Sequence, residues 1–228
     1  MMIQNQQYHL ARGSIPADEN QARARLLYSQ SMVTFFFPIL AASAICTLLW
    51  SVAPRERLLG WTLITTFYSI SRYALLLRFR SRQAQHDVDW LNLLAVSVFL
   101  SGALWGMAPV ILLPYDPVRL VEFTLYTGLV FLVICGLVAG AVVAYSWSMR
   151  VMVLYVVPAL LPGALHLIAL GDRYNSALGG FVLLYMVFIF AAATRMHVQL
   201  RRYMEIEQRM EALRSELDLL RRRGDIPN

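Results

Sequence analysis

The chain has 228 residues, 58% of them hydrophobic and 15% charged, whereas about a quarter of the residues in a soluble domain are charged. That composition excludes an ordinary soluble domain and turns the count of domains into a count of membrane spans. A formal charge of +6 would suit a nucleic-acid partner in a soluble protein. Here the arginines gather at the ends of apolar runs, where they set topology, and no nucleic-acid partner is expected.

Residues 1–30 are polar and read as a cytoplasmic N-terminal segment without a cleavable signal peptide, so the first span is expected to be an uncleaved anchor. Apolar runs then fall at 31–52, 58–77, 91–113, 120–145, 151–170 and 176–194. Each can cross a hydrocarbon core of about 30 Å as a helix. Short connectors make neighbouring helices antiparallel, which predicts an all-α, six-transmembrane-helix bundle over residues 31–194. The fourth run is the longest and is open to a tilt or to a break near Gly136. Near span ends, ten arginines (Arg12, Arg23, Arg25, Arg78, Arg80, Arg82, Arg150, Arg195, Arg201 and Arg202) fall on one side and four (Arg55, Arg57, Arg119 and Arg173) on the other. This asymmetry places both termini in the cytoplasm.

After Thr194 the sequence becomes densely charged over residues 195–223, with 224–228 a short tail. Tyr203, Ile206, Met210, Leu213, Leu217 and Leu220 recur in steps of three and four, the seam of a coiled-coil helix. In a parallel homodimer Arg202 would face Glu207 and Glu216 would face Arg221, while Arg209 would meet Arg214 unfavourably. The alternative is a single amphipathic helix lying on anionic lipid, but the narrow seam favours the coil.

Within the spans, Gly102 with Gly106 and Gly136 with Gly140 form Gly-x-x-x-Gly steps that let helix backbones approach closely, inside one bundle or between two. Pro38, Pro109, Pro158 and Pro162 each remove a backbone N–H and are expected to kink their helices. On the fifth span Pro158, Pro162 and His166 share a face and leave the carbonyls of Leu154 and Pro158 without their usual donors. Arg72 lies roughly 8 Å inside the cytoplasmic end of the second span, near the estimated depth of Pro158. It can donate to those carbonyls or snorkel to the interface. Arg72, Trp105, Pro158, Pro162 and His166 are therefore the candidate cue-binding or switch residues, with Trp105 and His166 nearer the periplasmic half. Glu122 is placed to pair with Arg119 at the surface.

Cys46 and Cys135 sit inside spans at different depths, so packing rather than a disulfide is expected. The histidines His9, His86, His166 and His197 do not make a haem or metal set. There is no phosphate loop, hydrolase order, zinc-protease motif or cluster of intramembrane carboxylates. A non-enzymatic protein without metal or cofactor is expected.

Several elements together carry a likeness: W-T-L-I-T-T-F-Y-S-I-S-R from Trp61 to Arg72, D-V-D-W before the third span, S-G-A-L-W-G-M at 101–107, a glycine-rich fourth span, P-x-x-x-P, and Gly171-Asp172. Residues 23 to 215 resemble the N-terminal multi-span membrane sensor regions (MASE-like) of bacterial diguanylate cyclases and hybrid sensor histidine kinases. The resemblance implies a bacterial inner-membrane input domain whose coiled-coil helix passes a membrane or periplasmic cue to a cytoplasmic output module. The chain itself carries no GGDEF motif and no kinase motif, so that module would act in cis beyond residue 228 or in trans as a separate partner. The alternative from another class is a small transporter or channel subunit with a midplane site at the broken fifth span.

Overall fold

The computed structural model describes residues 31–81, 90–145 and 148–223. His9, His86, the arginines at 12, 23, 25 and 82, the segment 1–30 and the tail 224–228 lie outside the described residues, as do the side chains of Arg78, Arg80, Leu217 and Leu220. The described residues are helical with short turns and no strand. Seven α-helices follow in order: α1 (Ser31–Leu49), α2 (Arg55–Ser81), α3 (Trp90–Gly106), α4 (Ala108–Leu112), α5 (Leu120–Tyr145), α6 (Met149–Ala169) and α7 (Arg173–Arg223). Four stretches are helical, long and apolar enough to cross a membrane: Asn92–Leu112, Pro117–Tyr145, Met149–Ala169 and Arg173–Glu207.

The helices match the apolar runs with one local departure. The third run, expected as one helix, breaks at Met107 and resumes at Ala108. Pro109 supplies the reason, because it has no N–H to give the carbonyl of Trp105 and its ring crowds that carbonyl. In contrast α5 passes through Gly136 unbroken. α1 and α6 likewise keep Pro38, Pro158 and Pro162 inside continuous helices.

The chain divides into two compact units. The first contains the described residues up to Ser97 together with Ala108–Val133. In it α1 packs on α2 and α2 on α4, burying Ala42, Ile45, Leu49, Leu58, Trp61 and Leu112. The α1–α2 turn carries Arg55 with its guanidinium 5.5 Å from the ring centroid of Trp50, an aromatic and a cation of the kind that anchor span ends at an interface. At the start of α5, Asp116 accepts from Val118 N at 2.9 Å, and exposed Arg119 and Glu122 pair at 3.8 Å.

The second unit contains Val98–Met107 and the described residues from Ile134 onward. Its centre is α6, with ten buried residues from Val151 to Leu167, against which α7 packs. The turn between these helices is fully specified. Gly171 adopts φ +75°, a left-handed conformation that glycine enters without steric cost. Asp172 then caps α7, accepting from Asn175 N at 2.9 Å and from Asn175 Nδ2 at 2.6 Å. Asn175 is wholly buried, so these bonds satisfy a polar group that would otherwise be costly. Burial raises the Asp172 carboxyl, but the hydrogen bonds from Asn175 and Tyr174 outweigh it and hold the group below the usual carboxylate range.

Candidate functional site

Hydroxyl-bearing residues are frequent in the helices, and most are satisfied locally. Ser43, Thr47, Thr62, Ser69, Ser71, Thr124 and Thr194 each donate to the carbonyl four residues earlier. Such back-bonding hides a hydroxyl from an apolar solvent. The exceptions are informative: the hydroxyls of Thr65 on α2 and Thr127 on α5 are buried without a hydrogen-bond partner. Both belong to the first unit.

Thr65 lies on the face of α2 that also carries Trp61, Tyr68, Ser69 and Arg72, residues spaced at three and four. Trp61, Thr65 and Ser69 are buried, and Tyr68 and Arg72 are half-buried. Tyr68 Oη donates to the carbonyl of Ser97 on α3, tying two helices of this unit. The Nε of Arg72 is shielded from solvent. The sequence singled out Arg72 on this face. It did not distinguish Thr65, because α2 carries several threonines and the sequence does not say which hydroxyl turns to its own helix.

The other four expected switch residues lie in the second unit: Trp105, Pro158, Pro162 and His166. Trp105 and Pro158 are buried, and Pro162 and His166 are half-buried. Gly102 and Gly106 explain how α3 and α6 meet. A Cβ built on Gly106 would stand 1.9 Å from the carbonyl oxygen of Pro158, and one built on Gly102 would stand 2.5 Å from that of Tyr155. The hydrogen occupying the Cβ position of Gly106 therefore points at the Pro158 oxygen. That oxygen is the one left without its helical donor by Pro162. A Cα–H···O contact, weaker than an amide bond but favourable, covers it. Gly106 thus lies against one of the carbonyls that the sequence offered to Arg72. Counting residues along each span placed Trp105 in the other half of the bilayer from Pro158, whereas the contact puts its neighbour Gly106 level with Pro158.

The two Gly-x-x-x-Gly steps differ. Gly136 and Gly140 on α5 are exposed, and a Cβ on either would meet nothing within 4 Å. A third close approach was not legible as a motif: a Cβ on Gly179 of α7 would stand 2.8 Å from the carbonyl oxygen of Ala164 on α6. Tyr185 Oη on α7 also donates to the carbonyl of Cys135 on α5 at 2.7 Å. Cys46 and Cys135 are free thiols.

Among the described residues no three His, Cys, Asp or Glu side chains gather as metal ligands. Toward the C-terminal end of α7 the predicted seam stands in the open. Tyr203, Ile206, Met210 and Leu213 are 68%, 61%, 51% and 55% exposed. Compared with known proteins, the chain matches no family model, no curated protein and no solved structure, so its likeness to membrane sensor regions rests on the sequence elements quoted above.

Proposed function

We propose that this chain is a non-catalytic input domain of the bacterial inner membrane. Six spans would hold it there with both termini in the cytoplasm, and a dimeric coiled-coil helix would pass a membrane or periplasmic cue to a diguanylate cyclase or histidine kinase module. The observation that carries the reading is α7. One helix of 51 residues, about 76 Å long at 1.5 Å per residue, begins packed on α6 and extends well past a hydrocarbon core of about 30 Å. An unbroken rod of that kind transmits rotation or displacement without a hinge.

Two further helices fit the six-span count. α1 has 19 residues, about 28 Å, and α2 owes its lower hydropathy partly to Thr62, Ser69 and Ser71, whose hydroxyls are satisfied by their own helix. The α2 face with Thr65 and Arg72 is the cue region, because a ligand that satisfied the Thr65 hydroxyl in one state only would shift a two-state equilibrium by that difference. The transporter alternative draws less support, since the proline-bearing α6 is enclosed by packing and its Pro158 carbonyl is already met.

The test is a fusion of the full chain to a cyclase or kinase catalytic module in heptad frame after Arg223, with one to seven alanines inserted after Gln199. Output should rise and fall with the helical repeat and return near seven insertions. Output independent of insertion length would overturn the proposal.

A further inference from the structure

The geometry points to a second copy of this chain docking against α7 inside the bilayer, through the face that carries Phe181, Phe188 and Ala192. This rests on the coiled-coil reading proposed above and extends it into the membrane. An α-helix returns to the same azimuth after 18 residues, about five turns at 3.6 residues each. Ile206 therefore lies directly along the helix from Phe188, and Met210 from Ala192. Projecting the seam back in this way could have landed on the face α7 gives to α6, marked by Val182, Ile189 and Ala193, all at most 4% exposed. A dimer would then collide with its own bundle. It lands beside that face instead, on Phe188 and near Phe181, which are 66% and 68% exposed, while Tyr203 projects onto half-buried Tyr185, whose hydroxyl is held by the Cys135 carbonyl and marks the edge of the open face.

Stiffness brings the two copies together there. Parallel helices touching at Ile206 with axes about 10 Å apart and crossing at about 20° are still only about 14 Å apart 18 residues earlier. Two phenyl rings facing one another span that gap. Lipid gives such a contact no hydrophobic driving force, so van der Waals packing must supply it. The seam below raises the local concentration of the second copy, which makes a weak contact sufficient.

The experiment uses the full chain in native membranes, with Cys46 and Cys135 replaced by Ser and single cysteines introduced by Phe188→Cys, Val187→Cys, Leu213→Cys and Ser215→Cys. Val187 is 63% exposed, as open as Phe188, but faces a different side. With a bismaleimide long enough to span the gap between the helices, Phe188→Cys should crosslink between chains severalfold faster than Val187→Cys, and Leu213→Cys severalfold faster than Ser215→Cys. Selective crosslinking at Leu213 with equal rates at 187 and 188 would confine the dimer to the aqueous helix and overturn this inference alone. Equal rates within both pairs would remove the coiled coil and the inference together.

Discussion

Adding one methyl group at Gly106 tests the packing that organises the second unit. The new carbon would start 1.9 Å from the Pro158 oxygen and 3.0 Å from its carbonyl carbon. Both are backbone atoms, so no rotamer change relieves the clash, and α3 and α6 must separate by more than an ångström. Overpacking costs about 1–3 kcal/mol, and the lost Cα–H···O contact adds about 0.5–1 kcal/mol. Against this, alanine gains about 1 kcal/mol of helix propensity over glycine. Gly106→Ala should therefore lose about 0.5–3 kcal/mol. Gly102→Ala and Gly179→Ala, with first contacts at 2.5 and 2.8 Å, should lose less. Gly136→Ala and Gly140→Ala meet nothing within 4 Å and should be neutral or stabilising. The assay is reversible unfolding in mixed micelles, following helicity across a denaturing-detergent titration. Equal stability of Gly106→Ala and Gly140→Ala would refute the backbone contact between Gly106 and Pro158.

Other expectations follow from particular bonds. At neutral pH, Asp172→Ala should cost about 1 kcal/mol as a lost helix cap, and Asp172→Asn should keep the backbone cap but set its amide NH2 against the buried Asn175 Nδ2 in place of the Oδ2 acceptor, a loss of about 1–3 kcal/mol; because the native carboxyl is held below its usual range, its contribution is present above the unfolded pKa and fades as pH falls through the folded one, so the gap between wild type and Asp172→Asn should narrow in acid. Thr65→Val and Thr127→Val replace buried, unpartnered hydroxyls and should leave the fold at least as stable in the same titration; a loss above about 1 kcal/mol would show that those hydroxyls are bonded. In the fused receptor, Arg72→Leu should change output and Arg72→Lys should restore it only in part, because an ammonium lacks the planar guanidinium and its Nε; full rescue by lysine would reduce Arg72 to an interface anchor. Cytoplasm-active reporters placed after Arg82 and Arg202 should be active and those after Asp116 and Asn175 silent, and an active periplasmic reporter at the C-terminus would overturn the six-span count.

Helix positions were legible in the sequence because an apolar solvent demands long runs whose backbone groups bond internally, and that demand is local. The run at 120–145 and α5 coincide, and the arginines and short connectors mark where chains of this kind must turn. Proline showed where helices are perturbed, though not how: Pro109 breaks α3 from α4, while Pro158 and Pro162 stay inside α6. The difference is tertiary, since the Pro158 carbonyl freed by Pro162 is covered by Gly106 from a different helix. The two Gly-x-x-x-Gly steps were equivalent as sequence, and only packing made Gly102 and Gly106 a contact while leaving Gly136 and Gly140 open. Thr65 was likewise one threonine among several until the structure showed its hydroxyl buried and without a back-bond. Periodicity placed Tyr203, Ile206, Met210 and Leu213 on one face and aligned it with Phe188, but whether Phe188 stays open depended on which side of α7 packs on α6. Local chemistry fixes the elements, and the identity of the neighbouring backbone decides which residues on them are close-packed and which stay open to a partner.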